Sequence, residues 1–369
     1  MIFNAVLAGL TITPAPRLLW QQPFPTSTPL AVKADPKRNY VYIALKEGGV
    51  AIIRTNEMGE RPQVVKGIPR KDFGGLQTTN LIVDEYRLFV SLGDFFSSNG
   101  DFAGVAEIDI STPESAKVQK IWKSSAKLKG ATMPLVANNR LILAAMNHGV
   151  FAFSNTEIKP SDQPSQIILD RNFPKSNPNS VQEPNSRGIA VKSDLLFVAH
   201  DAGGLRAVNI SDEGFGREIG KYVNQGMKGK QSAYNNVVID GDLAYCAIDY
   251  AGMEILDISN PKEINQVAWW NPWNAQSNSN TWFNSQGHTN QLVLDRSTKR
   301  VYLSAGDSEL QVIDVSDSRS PKLVDKFGMP KNKQGAWGID VKNGVAYLTY
   351  IRATVPFQGT WAGLKAIRL

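Results

Sequence analysis

The chain holds a single cysteine, Cys246, in 369 residues. No intrachain disulfide can form, and no Cys-x-x-Cys spacing of a zinc site exists. Cys246 sits in the apolar run LAYCAI, where a thiol acts as a small buried hydrophobe. No apolar run reaches the roughly 18–20 residues of a membrane-spanning helix. The opening stretch MIFNAVLAGLTITPAP lacks a basic n-region and a small-x-small cleavage site. As written it is a poor signal peptide, and residues 1–16 read as an N-terminal extension. Helix signals are nearly absent: no long stretch combines i, i+3, i+4 apolar spacing with a cap. Catalytic signatures are missing too, with no G-x-S-x-G elbow, no HExxH and no phosphate loop. A site assembled from many distant segments would leave no such signature.

What is present is turn chemistry and a repeat. Gly 30 and Pro 20 are spread along the chain, as many turns require. One unit recurs: a strand, a tight turn, a second strand, a Gly-containing turn, a third strand ending in Asp and Ser, then a fourth. The clearest third strands are VAEIDIS, LRAVNIS, MEILDIS and LQVIDVS, each preceded by an apolar strand such as LAYCAID. Weaker copies are YVYIAL with GVAIIRT, RLILAAM with GVFAFSN, and VAYLTYI with GLKAIRL. Third strands begin near residues 49, 104, 149, 204, 252, 309 and 363, so successive starts lie 45 to 57 residues apart. Apolar and polar residues alternate in LQVIDV and MEILDI, the period-two signal of a strand.

These spacings predict an all-β fold, a seven-bladed β-propeller with four strands, A to D, in each blade. Residues 17–369 form the single propeller domain. The chain ends at Leu369 inside the third strand of the last blade, so that blade lacks a strand D. RLLWQQP, residues 17–23, precedes the first strand A and has no other partner. It is expected to complete the last blade and remove the open edges of the ring.

The third-strand segments resemble the repeat of the LVIVD-repeat β-propeller family, whose form is L-x-I-I/V-D-V-S-N-P. LQVIDVSDSRSP and MEILDISNP match it well, LRAVNIS and VAEIDISTP in part, and blades 1, 3 and 7 poorly. The resemblance implies a propeller of a kind common on secreted or surface proteins of bacteria, and so an extracytoplasmic location. It brings no catalytic residues. The motif aspartates Asp109, Asp257 and Asp314 read as structural, bonding turn backbone.

Strand order puts D–A and B–C connections on one face, the top, and A–B and C–D connections on the other. The long segments are nearly all top-side: 68–77, 124–131, 172–186, 225–232, 271–287 and 328–335, with B–C loops 94–102 and 352–361. Function is therefore assigned to the top face. All three histidines, His148, His200 and His288, fall there. A three-histidine metal site would need all of them at the central axis; separate turn and rim histidines are the reading taken, with no metal. The first residues of each strand A face the channel mouth, among them Arg187, Asn235, Asn236, His288, Asn290 and Trp337. They would serve a small-ligand site, or simply hydrate the channel and bond one another. The loop 271–287 carries Trp273, Trp282 and Phe283 among Asn, Ser and Gln. Such rings suit sugar or peptide recognition, or plug the groove between blades 5 and 6.

The net charge is +6. Arg70, Lys71, Lys123, Lys127, Lys129, Arg171, Lys175, Lys228, Lys230, Lys331 and Lys333 lie on or beside the top loops, against fewer acidic residues. That distribution favours an anionic partner; no nucleic-acid motif accompanies it. The leading expectation is a monomeric, non-enzymatic scaffold that binds a protein or an acidic glycan through the top face, with no cofactor. The alternative is a hydrolase or lyase at the channel mouth, with His288 as acid/base and Arg187 holding an anionic group.

Overall fold

Each repeat folds into a four-stranded antiparallel sheet, and the described residues contain seven of them. The computed structural model describes residues 15–96, 100–170, 184–280, 287–353 and 359–369. Blade 5 is typical: strand A is Ala233–Asp240, B is Leu243–Asp249, C is Gly252–Asp257 and D is Asn265–Trp270. A–B turns are tight because both central residues accept positive φ, as Asn138 and Asn139 (50° and 55°) and Asn343 and Gly344 (50° and 69°) do. Strand A of each blade touches strand A of the next, from blade 1 round to blade 7 and back to blade 1, so the ring is closed.

The core is not one mass but seven. An apolar cluster fills each junction between neighbouring blades. The strand period of two produces this directly. In blade 1, Val50 and Ile52 face blade 2, while Ala51 and Ile53 face blade 7. Middle strands are thus buried on both sides. The alternation in LQVIDV and MEILDI therefore does not separate core from solvent. Its polar positions, Gln311 and Glu254, are buried as well and are satisfied inside the protein.

The turn after strand C explains the motif aspartates. Asp109, Asp257 and Asp314 each accept the backbone N–H two residues on, from Ser111, Ser259 and Ser316, at 2.8 Å. Asn209 does the same for Ser211 in blade 4. These are Asx turns, and hydrogen bonds from the hydroxyls and backbone N–H groups of those serines hold the three carboxyls below the usual aspartate range. Blade 7 has no such residue because no C–D turn follows its strand C.

A second recurring device joins blade to blade. The B–C turns of blades 1, 3, 4 and 6 share one backbone course over 45–49, 145–149, 200–204 and 305–309. The second residue is left-handed: Lys46, Met146, Asp201 and Gly306 have φ of 53°, 50°, 50° and 57°. Its carbonyl accepts a hydrogen bond from the next blade's first amide, that of Thr78, Ser186, Tyr234 or Ala336, at 3.0–3.1 Å. The last residue of the turn is also left-handed, and it is Gly49, Gly149 or Gly204 in three of the four blades. A Cβ on these glycines would lie 1.9–2.1 Å from a carbonyl at the end of strand D, so no side chain fits.

Strand Arg17–Pro23 closes the ring. It pairs antiparallel with Gly363–Arg368, from Arg17 opposite Arg368 to Pro23 opposite Gly363. Trp20 packs against Tyr347 and donates its indole N–H to the Gly59 carbonyl at 2.7 Å, tying the strand to blade 1 as well. Deleting residues 1–23 removes this ladder, worth several kcal/mol at about 1 kcal/mol per hydrogen bond, and bares the edge of strand C. The expected result in a thermal melt is a fall of about 5 °C or more with earlier aggregation. An unchanged melt would show that the strand does not hold the ring shut.

Candidate functional site

The amide that opens strand A in blades 1, 3 and 4, that of Leu30, Thr132 or Arg187, bonds to the last residue of strand B. In blades 2, 5, 6 and 7 the register slips there, between Thr78 and Asn80, Tyr234 and Asn236, Thr289 and Leu292, and Ala336 and Ile339. Such bulges re-aim side chains at sheet ends. Here they bring two consecutive polar residues from each of blades 2, 5 and 6 to the channel: Thr79 with Asn80, Asn235 with Asn236, and Asn290 with Gln291. These six, with Thr132, Met133, Arg187, Gly188, Trp337 and Phe95, line a small cavity that is partly open to solvent. The lining contains one cation and no carboxylate.

Apolar side chains cover one side of the mouth. Phe95, from the B–C loop of blade 2, joins Leu30, Met146, Trp337 and Ile351 in a small buried cluster. Phe96 extends it outward, 4.2 Å from Phe95 and 5.7 Å from Trp337 between ring centroids, with the Lys46 ammonium 5.4 Å away. Sequence reasoning missed Phe95. The available signal was a pair of aromatic residues in a polar top-side loop.

Arg187 is held from behind. Its Nε donates to the Asp201 carboxylate at 3.3 Å, and Asn185 donates to the same oxygen at 2.9 Å. Asp201 is fully buried, whereas the Arg187 side chain is 23 % exposed. The two terminal guanidinium nitrogens have no hydrogen bond to a described residue. Asn235 gives its amide N–H to the Thr289 carbonyl at 2.8 Å, and its Oδ1 is buried without a partner. Asn236 accepts the Leu292 N–H at 3.4 Å, and Asn290 donates to the His288 carbonyl at 3.1 Å.

His288 does not reach the cavity. It is buried, its Nδ1 lies 3.1 Å from Asp249, and its ring meets Tyr250 edge-on at 5.1 Å. The other histidines are buried apart from it. His200 faces the Ser186 hydroxyl at 3.3 Å, and His148 packs on Phe151, where burial pushes its imidazole down to about 4. Among the described residues no three His, Cys, Asp or Glu side chains form a metal-binding group. Trp273 turns inward: it packs on the core between blades 5 and 6, edge-on to Trp270 at 5.7 Å. Its role there is the hydrophobic plug. Trp282, Phe283, Arg171 and Lys175 lie outside the described residues.

Two buried carboxylates lie away from the cavity. Glu309 occupies the turn position that is Gly in three other blades, with φ of 49°, and Gly328 leaves room for its side chain. It accepts from Tyr350 at 2.5 Å, from Lys365 at 2.9 Å and from Asn332, pinning blade 6 to blade 7. Glu254 plays that part between blades 4 and 5. It accepts from Tyr222 at 3.2 Å, Gln266 at 2.6 Å, Tyr234 and Asn224.

The repeat and the fold can be compared with known proteins. The LVIVD repeat model matches residues 233–268 and 299–328, which are blade 5 and strands B to D of blade 6. The chain is thus a seven-bladed β-propeller carrying LVIVD repeats, in line with the resemblance read from its third strands. Among solved structures it is similar to the β-propeller domain of Cps50 (Swd1) from Myceliophteria thermophila, with a TM-score of 0.63 at 12 % identity over 96 % of this chain and 99 % of that one. It is also similar to the computationally designed protein Ika8, with a TM-score of 0.57 at 10 % identity over 95 % of this chain and 99 % of that one. Identities this low establish the fold alone. No curated protein matches the sequence.

Burial pushes the Glu254 carboxyl up to about 7, against the pull of its four donors. The unfolded chain gives up this proton near 4.5, so the group favours the folded state in full below that pH. The contribution, about 3 kcal/mol for a shift of this size, is lost as pH rises from 4.5 through about 7. Glu254→Gln should flatten that part of the stability–pH curve in denaturant titrations. An equally steep curve in the variant would place the titrating group elsewhere.

Proposed function

We propose that the chain is a non-enzymatic recognition scaffold whose top face binds an acidic surface of a protein partner. The observation that carries this reading is the exposed basic rim around the channel mouth. Arg70, Lys71, Lys123, Lys127, Lys228, Lys331 and Lys333 are all exposed on or beside top-side connections. Lys123 and Lys127 flank the Phe102 ring at 4.7 and 5.3 Å, which holds two cations side by side. A protein partner is favoured over a glycan because Trp273 is half-buried and packs on the core between blades 5 and 6. An extracytoplasmic setting is proposed from the LVIVD-repeat resemblance alone; Cys246 is buried, and burial raises it well above the ordinary cysteine range, which suits any compartment.

The enzymatic alternative needs His288 and Arg187 to face one space. Each is instead engaged with its own carboxylate, and only Arg187 lines the cavity. Nothing in the arrangement favours that reading.

The reading is tested by capture of partners from the cell-surface fraction of the source organism at low and high salt. Reversal of Lys127, Lys129, Lys228 and Lys230 to glutamate should reduce capture about tenfold or more, and high salt should mimic the variant. The melting temperature should stay within a few degrees of the parent. Identical capture by the parent and the variant at both salt concentrations would remove the electrostatic basis of the proposal.

A further inference from the structure

The cavity at the channel mouth has a chemistry that the basic rim does not explain. Its uncommitted polar atoms include several donors and one acceptor, the Asn235 Oδ1. The Arg187 terminal nitrogens make no hydrogen bond to a described residue, while its Nε is fixed by Asp201. Gln291 uses its Oε1 to accept the Ile339 N–H at 3.3 Å, which turns its Nε2 away from that bond and leaves it uncommitted. Asn80 uses its Oδ1 in the same way for the Leu81 N–H at 2.8 Å, again leaving the NH2 group to spare. Both amides are therefore oriented by backbone, with acceptor ends occupied and donor ends open.

No Asp or Glu lines the cavity. The carboxylate that pairs with Arg187, Asp201, sits behind the guanidinium and is fully buried. A planar fork with two open N–H groups matches a carboxylate in a bidentate pair. Phe95, Trp337 and Met133 form the remaining wall, so an apolar body on the ligand would also be accommodated.

We infer that the channel mouth is a binding site for a single carboxylate group carried on a small apolar body, held by Arg187 with Gln291 and Asn80 beside it. Arg187 is the charge that pairs with the ligand; Asp201 is a positioning residue that fixes the guanidinium plane. The carboxylate has two possible sources, a free small acid or an acidic side chain presented by a docked protein. The site rests on the top-face reading only in its location, and it stands or falls on residues inside the channel rather than on the rim lysines.

The test is isothermal titration of the full chain with benzoate, with benzamide as the neutral control. Benzoate should bind at one site with a dissociation constant of about a millimolar or tighter, and benzamide should not bind. Arg187→Lys keeps a cation for Asp201 but loses the fork, and should weaken benzoate about tenfold or more. Gln291→Glu keeps an acceptor for Ile339 and adds a negative charge to the cavity, and should weaken it at least as much. Both variants should melt near the parent temperature. A capped decapeptide of glutamate distinguishes the sources. Displacement of benzoate by the peptide assigns the pocket to a partner's side chain, and binding of benzoate without displacement assigns it to a free acid. Equal binding of benzoate and benzamide, parent-like binding by both variants, or no heat from benzoate up to about 20 mM would each overturn the site. The quadruple lysine reversal should leave benzoate affinity within about twofold, which separates failure of this site from failure of the rim.

Discussion

The ring depends on a backbone contact repeated between blades. A B–C turn enters the left-handed region at its second residue, and the carbonyl there takes the first amide of the next blade. Without that contact, adjacent sheets would be joined at the top by side-chain packing and side-chain hydrogen bonds such as that of Thr79 to the Ala131 carbonyl. With it, the start of strand A in blades 2, 4, 5 and 7 is fixed in height relative to the preceding blade. The left-handed turn costs something where the residue is Lys46, Met146 or Asp201 rather than glycine, of order 1 kcal/mol each. The interblade bond and the apolar cluster beneath it offset that cost. Blade 5 departs from the pattern. Its turn is shorter, Tyr250 takes the positive φ of 69°, and the Thr289 hydroxyl bonds to the Ile248 carbonyl in place of the bridge.

That fixed height is what makes a site possible. Among the described residues, strand A of every blade touches strand A of the next around the axis, so a bulge at its end acts on the channel. Blades 2, 5 and 6 use their bulges to turn two polar residues inward. Blade 7 contributes Trp337 and blade 4 contributes Arg187. The cavity is consequently asymmetric, with its cation from blade 4 and its aromatic rings from blades 2 and 7. Identical repeats would give a symmetric channel; the departures from the repeat carry the chemistry.

The same division governs what the sequence reveals. Strand spacing, Gly-led third strands and Asx turns are local, and each was legible: the Gly of GLRAV must be Gly because Gly204 meets the Tyr222 carbonyl. The closing strand was legible because RLLWQQP had no other partner. Pairings across blades were not. His288 with Asp249 and Glu254 with residues of blade 4 depend on which side chains the ring brings together, and Arg187 with Asp201 on how one blade folds back on itself. Strand alternation also misled at Gln311 and Glu254, since a blade between two others has no solvent face. Among the channel residues, Arg187, Asn235, Asn236, Asn290 and Trp337 could be placed from strand position alone. His288 could not, because the bulge at the start of its strand turns Asn290 and Gln291 to the channel instead.

The central claim is that turn-to-strand bonds lock the blades into one ring. Native-state hydrogen exchange tests it most directly, at the amides of Thr78, Ser186, Tyr234 and Ala336, which make those bonds. If the account is right, these four exchange only through global unfolding, as slowly as the central amides of strand B. Exchange through local opening, at a free energy well below that of strand B, would contradict it.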